Sequence, residues 1–165
     1  GTVSHLPVLR LAPVKENRNN CPFLAGDRCA IHDAEPLVCA LYPLAQEISR
    51  KGQVSYFLQP TGCGGQVIEA RVEDYLARYD VPAREQTDVR WAQTCMTLED
   101  TVEQLEALLS PVLVRRMQDK LWQALYFSYD YAAPFLPQLE KKLHWLDAEF
   151  AKLTEYQQKR NNTSK

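Results

Sequence analysis

Cysteine is the residue type in this chain most suited to chemistry, and four of its five cysteines lie between positions 21 and 63. Their spacing is Cys21-x7-Cys29-x9-Cys39-x23-Cys63. Thiolates are soft, anionic donors, and four of them complete a tetrahedral zinc site or hold an iron–sulfur cluster. The paired C-x2-C of a zinc ribbon is missing, so spacing alone suggests ligation without choosing the metal. An odd cysteine count in a chain of 165 residues argues against a disulfide framework. The competing reading of the four is small core residues or adventitious disulfides, because free cysteine is among the most buried residue types. Cys95, among Trp91, Met96 and Leu98, reads as a packed core thiol.

Other candidates weigh less. His32 follows Cys29 by three positions and reads as a hydrogen-bonding neighbour of the site more than as a ligand. His5 and His144 are isolated, and His144 falls at a surface or boundary position of a helix. The run Gly62-Cys63-Gly64-Gly65 lacks the Lys-Ser/Thr of a phosphate loop, and its glycines suit close backbone approach to a sulfur instead. Tyr126, Phe127, Tyr129, Tyr131 and Phe135 read as helix-packing aromatics before they read as a ligand pocket. Glu99, Asp100 and Glu103 read as a solvated first turn of a helix.

The residues around the cysteines carry a resemblance. Cys21-Pro22-Phe23-Leu24, Cys29-Ala30-Ile31-His32, and Glu35-Pro36 with Cys39, Leu41, Tyr42 and Pro43 follow one another in register. This segment resembles the cysteine-cluster family of zinc- or iron-chelating domain proteins, which includes relatives of flagellin lysine-N-methylase. Tyr56-Phe57-Leu58 and the Cys63 loop resemble that family's next strand and cysteine, so the likeness covers about residues 7–80. Glu35 and Ala40 stand where the family has arginine, and no C-x-x-C-x-x-C-C cluster precedes Cys21. The resemblance implies Cys21, Cys29, Cys39 and Cys63 as metal ligands, with zinc or an iron–sulfur cluster as cofactor. Three functions are compatible with it: a structural or interaction module, an iron–sulfur-dependent protein-modifying enzyme, and a degenerate member without metal.

The elements that must position these residues fall into two kinds. Residues 7–13 alternate as a strand does, and 15–20 read as a loop. Residues 21–43 are punctuated by Gly26, Asp27, Asp33, Pro36 and Pro43 and show no period. Residues 44–59 form a predicted hairpin turning near Arg50-Lys51-Gly52. Helical spacing begins near residue 67, with Val72, Tyr75, Leu76 and Tyr79, and Pro82 interrupts it. One helix is expected over 84–94 and another after Thr97, where Asp100 completes a capping box. The face of that second helix is Leu98, Val102, Leu105 and Leu108 or Leu109. Ser110 and Pro111 open a helix with face Leu113, Met117, Leu121 and Leu125, widened by Val114 and Trp122. After a break at Ala132-Ala133-Pro134, a last helix over about 137–158 presents Leu139, Leu143, Leu146, Phe150 and Leu153.

The expected fold is therefore mainly α with a small β-hairpin, and the length favours a single compact domain: an irregular cysteine-rich module over 1–66, amphipathic helices packed on it over 67–160, and a disordered tail over 161–165. Hydrophobic residues make up 45% and charged residues 24%, enough for a core without a metal. The net charge of -2 is mixed along the chain, which leaves no basic block for nucleic acid. No apolar run reaches about 18 residues, so no membrane span is expected. No signal peptide is visible, and the expectation is a cytoplasmic protein with a protein partner.

Overall fold

Helix is the dominant element of the described residues, and its apolar positions at 3- and 4-residue spacing are clearest over Pro111–Tyr126 and Phe135–Thr163. In the computed structural model, which describes residues 5–7, 21–26, 28–32, 36–60 and 71–163, the described residues are 64% helical. Five helices and two small antiparallel strand pairs occur among them, so the fold is mainly α with a small hairpin. Contacts divide the chain into one unit of Leu9–Val89 and another of Gly1–Val8 with Arg90–Lys165.

The unit Leu9–Val89 carries the short elements. Strands β1 (Leu24–Ala25) and β2 (Arg28–Cys29) pair antiparallel, with Leu24 opposite Cys29. Gly26 makes that turn at a φ of 66°, in the left-handed region open to glycine. This ribbon lies where no period was expected, because two-residue strands are too short to alternate. A single-turn helix, α1 (Leu37–Ala40), starts after Pro36 and leads to the hairpin. Strands β3 (Leu44–Ile48) and β4 (Val54–Leu58) pair from Leu44–Leu58 to Ile48–Val54, within the predicted hairpin over 44–59. Ser49 and Gln53 close the turn: Ser49 N–H donates to Gln53 O at 2.9 Å, and Gln53 N–H donates to Ser49 Oγ at 3.1 Å. Helix α2 (Val72–Ala77) ends in a tightened turn whose last residue, Asp80, has a φ of 53°. Leu41, Leu44 and Val81 are the buried centre of this unit, with Leu37, Tyr56, Tyr75, Leu76 and Tyr79 packed around them. Tyr75 Oη bonds to Ala40 O (3.1 Å) and Tyr42 O (2.9 Å), which fixes the exit of α1 to α2.

The helices expected over 84–94 and after Thr97 are one helix, α3 (Val81–Leu108). Pro82 does not interrupt it, because a proline in the first turn lacks only an N–H that would have no helical partner. Thr97 does not cap it either: its Oγ1 donates to Gln93 O at 2.9 Å, the back-bond of a helix-interior threonine. Thr101 repeats the pattern on Thr97 O at 3.0 Å. Nothing between 94 and 98 breaks a helix, so Thr97 and Asp100 have the residue types of a capping box with no helix start to cap. Glu99, Asp100 and Glu103 are consequently interior to α3.

Helix α4 (Pro111–Tyr126) has Ser110 as N-cap residue and Pro111 in its first turn. The Ser110 hydroxyl makes no cap bond, while its backbone N–H donates to Gln157 Oε1 at 3.0 Å. Helix α5 (Phe135–Thr163) begins before the expected Pro137. The Gln138 amide holds its entry, accepting from Asp130 N at 2.8 Å and donating toward Pro134 O at 3.0 Å. The tail expected to be disordered from 161 is helical through Thr163, where Gln157 Nε2 donates to Asn161 Oδ1 and Thr163 Oγ1 to Lys159 O, each at 2.9 Å. Leu98, Val102, Leu109, Leu113, Met117, Leu121, Ala124, Leu125, Leu146 and Phe150 form the core, joined by Leu6. Leu108, the alternative to Leu109, is exposed.

Two substitutions check this packing by urea unfolding. Leu121→Ala, at a site with 0% exposure, costs about 2–5 kcal/mol. Thr97→Ala raises stability by about 0.5 kcal/mol, as expected inside a helix; a helix cap would instead lose about 1 kcal/mol on the same change.

Candidate metal centre

Local hydrogen bonding sets out three of the four clustered cysteines. Cys21 opens a turn in which Leu24 N–H donates to Cys21 O at 3.1 Å. Cys29 sits on β2, and the next residue extends the ribbon, Ala30 N–H donating to Phe23 O at 2.7 Å. Cys39 lies in the single turn of α1, its N–H donating to Pro36 O at 2.8 Å. Cys21, Cys29 and Cys39 are all solvent-exposed, against the reading of small core residues. Cys63, the Gly62–Gly65 loop and Glu35 lie outside the described residues.

From Cys21 to His32 no described residue is buried; Phe23, Leu24 and Ile31 are partly covered and the rest are exposed. The segment thus has ladder hydrogen bonds and almost no apolar burial. Among the described residues, no group of three or more His, Cys, Asp or Glu side chains is placed to hold a metal ion. A four-thiolate site built from these cysteines depends on Cys63 as well. His32 is exposed beside the ribbon. Ala40, where the resembling family has arginine, is buried at the end of α1.

Cys95 behaves differently. It is partly buried against the helical core, and burial followed by the Glu99 carboxylate pushes its thiol up to about 11 from an ordinary 9.0. Such a thiol is a poor ligand and a slow nucleophile at neutral pH. Its neutral form is the one the fold favours. The contribution to stability is intact below pH 9.0 and is lost as pH rises through about 11.

The aromatic residues form a chain of ring contacts. Trp122 meets Tyr126 (5.1 Å between centroids), Tyr126 meets Trp91 (6.2 Å), Trp91 meets Phe135 (6.0 Å), and Phe135 meets Tyr129 (5.2 Å). Tyr131 is 99% exposed. The chain ties α3, α4 and the start of α5 together, which is helix packing. Trp91, on α3, and Trp122, one turn before Tyr126 on α4, are the members that the sequence did not group with the others. Lys142 closes the end of the chain, 4.7 Å from the Tyr129 ring centroid, with Nζ donating to Phe127 O at 2.6 Å. His5, isolated in sequence, donates from Nδ1 to Glu106 Oε2 at 2.7 Å. His144 is exposed, as expected, with Nδ1 donating to Glu140 O at 2.9 Å.

Compared with known proteins, the chain matches no family model, no curated protein and no solved structure. No helix among the described residues is long and apolar enough to cross a membrane.

The thiols separate by reactivity. With a chelator present to strip any bound metal, alkylation of the folded protein at about pH 8 modifies the exposed Cys21 and Cys29 well before Cys95, and the Cys95 rate climbs with pH until about 11. Timed quenching with peptide mass spectrometry reads the order. Equal rates at the lower pH would place Cys95 at the surface.

Proposed function

We propose that this chain is a metal-binding cysteine-cluster protein in which Cys21, Cys29, Cys39 and Cys63 hold zinc or an iron–sulfur cluster, with a structural or interaction role. The observation that carries the proposal is the exposure of Cys21, Cys29 and Cys39 in a unit whose first described stretch, Cys21 to His32, has no buried side chain. Fixing a backbone costs about 1–2 kcal/mol per residue. A ladder hydrogen bond returns only about 1 kcal/mol net. Structural zinc binding supplies about 10–16 kcal/mol at neutral pH, the same order as ordering a dozen residues. Ligation is therefore large enough to hold this segment, and two-residue strands are not. The resemblance of residues 21–43 to the zinc- or iron-chelating family supports the same reading.

The donor set suits either metal, since thiolates hold zinc and iron–sulfur clusters alike. The metal would staple the short elements, and the chain would present them to a protein partner.

Elemental analysis with a visible spectrum, on protein purified without oxygen, tests the proposal. One zinc per chain in a colourless protein is the structural outcome. Iron with sulfide and visible absorption identifies a cluster and turns the reading toward redox chemistry. Cys29→Ser and Cys39→Ser each lower the metal content at least about tenfold, while Cys95→Ser leaves it unchanged. Metal-free protein with Cys21, Cys29, Cys39 and Cys63 all titrating as free thiols would overturn the proposal.

A further inference from the structure

The N-terminal residues His5-Leu6-Pro7 are bound by residues about a hundred positions later. Leu6 is 8% exposed and belongs to the core formed by Leu98, Val102, Leu113 and Met117. His5 Nδ1 donates to Glu106 Oε2 at 2.7 Å. Gln118 Nε2 donates to both His5 O (3.1 Å) and Glu106 Oε1 (3.2 Å), bridging the segment and α3 from α4. Tyr126 Oη donates to Pro7 O at 2.9 Å. One apolar anchor and several polar contacts therefore seat three residues, and the carbonyls of His5 and Pro7 each accept a side-chain donor.

The unit Leu9–Val89 begins just after this segment and ends just before Arg90, so by connectivity it is an insert in the helical unit. Its C-terminal boundary lies inside the continuous helix α3, while at its N-terminal boundary the described residues His5, Leu6 and Pro7 are docked on the helical unit. We infer that His5-Leu6-Pro7 is a clasp that tethers the free end of the cysteine-bearing unit and stabilises that unit through the chain. With both ends held, the unfolded insert is a closed loop with fewer conformations, and its folded form gains by the difference. Linkage makes the effect mutual: whatever orders the insert holds the clasp shut, and whatever draws out Leu6 loosens the insert. The argument uses neither a metal nor any surface between the two units, so it stands apart from the proposed function.

Hydrogen exchange of the full-length chain tests it, read at the backbone amides of 44–58. Two variants open the tether in different ways. Leu6→Ala combined with Tyr126→Phe removes the anchor and one polar contact. A protease site inserted between residues 14 and 15, cut after folding, breaks the tether with every clasp contact in place. Exchange in the hairpin is expected to speed up about tenfold or more in both proteins, well within the loop-closure scaling for an insert of this length. Unchanged hairpin exchange in both would overturn the clasp. Acceleration in the double substitution alone would overturn it too, because the effect would then run through contacts and not through the tether.

Discussion

Burial of one helical stripe on α4 is the constraint from which the helical unit follows. Leu113, Met117, Leu121 and Leu125 recur every four residues, and Met117 and Leu121 reach 0% exposure. A stripe sealed that completely needs partners on more than one side. Leu98, Val102 and Leu109 come from α3 and Leu146 and Phe150 from α5, at the spacings that place each set on one helix face. The charged pairs at the margins are secondary. Lys120 and Lys152 both reach Glu149, at 3.1 Å and 2.6 Å, and hold its carboxyl below the usual range. Ion pairs of this kind at a surface add little beside the burial they border.

The apolar stripes of α3, α4 and α5 were legible in the sequence because a 3.6-residue period repeats over several turns and averages out local noise. The hairpin was legible for a different reason, the β-branched and aromatic residues of its second arm and Gly52, at a φ of 78°, in the turn. Helix boundaries were less so. Thr97 followed by Asp100 has the composition of a capping box, but composition does not say whether the chain stops there. The hydroxyl of a threonine can bond forward to a free N–H at a helix start or back to a carbonyl inside a helix. Continuity of the buried face decides which, and Thr94, Leu98 and Val102, all buried, recur every four residues across Thr97.

Long-range docking was not legible at all. No pattern within residues 1–20 marks Leu6 as a core residue, since one leucine in a short segment has no period. Its partners Glu106, Gln118 and Tyr126 are ordinary polar residues of α3 and α4 in sequence, and only the fold brings them to His5 and Pro7. The cysteines present the converse case. Their types and neighbours are suited to ligation, yet cysteine spacing does not reveal exposure. The structure adds that Cys21, Cys29 and Cys39 face solvent on short elements while Cys95 is partly covered in a long helix. That difference separates the clustered thiols from the lone one by burial, where the sequence had separated them by position and by neighbouring residue types.

The two units solve the folding problem with unequal means. In the helical unit, long elements bury continuous apolar faces, and apolar burial at about 25 cal/mol per Å² offsets the entropy of ordering. In the unit Leu9–Val89, the buried centre is Leu41, Leu44 and Val81, and each element before α3 has six residues or fewer among those described. Small cores of this kind leave a domain marginal without added constraints. Two kinds of constraint are chemically available to it. Exposed thiols can be ligated, which adds enthalpy to the folded form, and a chain end can be held, which removes entropy from the unfolded one. The two act on different states, so they reinforce each other. A ligated insert spends less time with its leading end free, and a tethered insert offers its thiols from a narrower set of conformations. A cysteine-rich stretch with little core is consequently better placed as an insert between docked segments than as a free terminal extension.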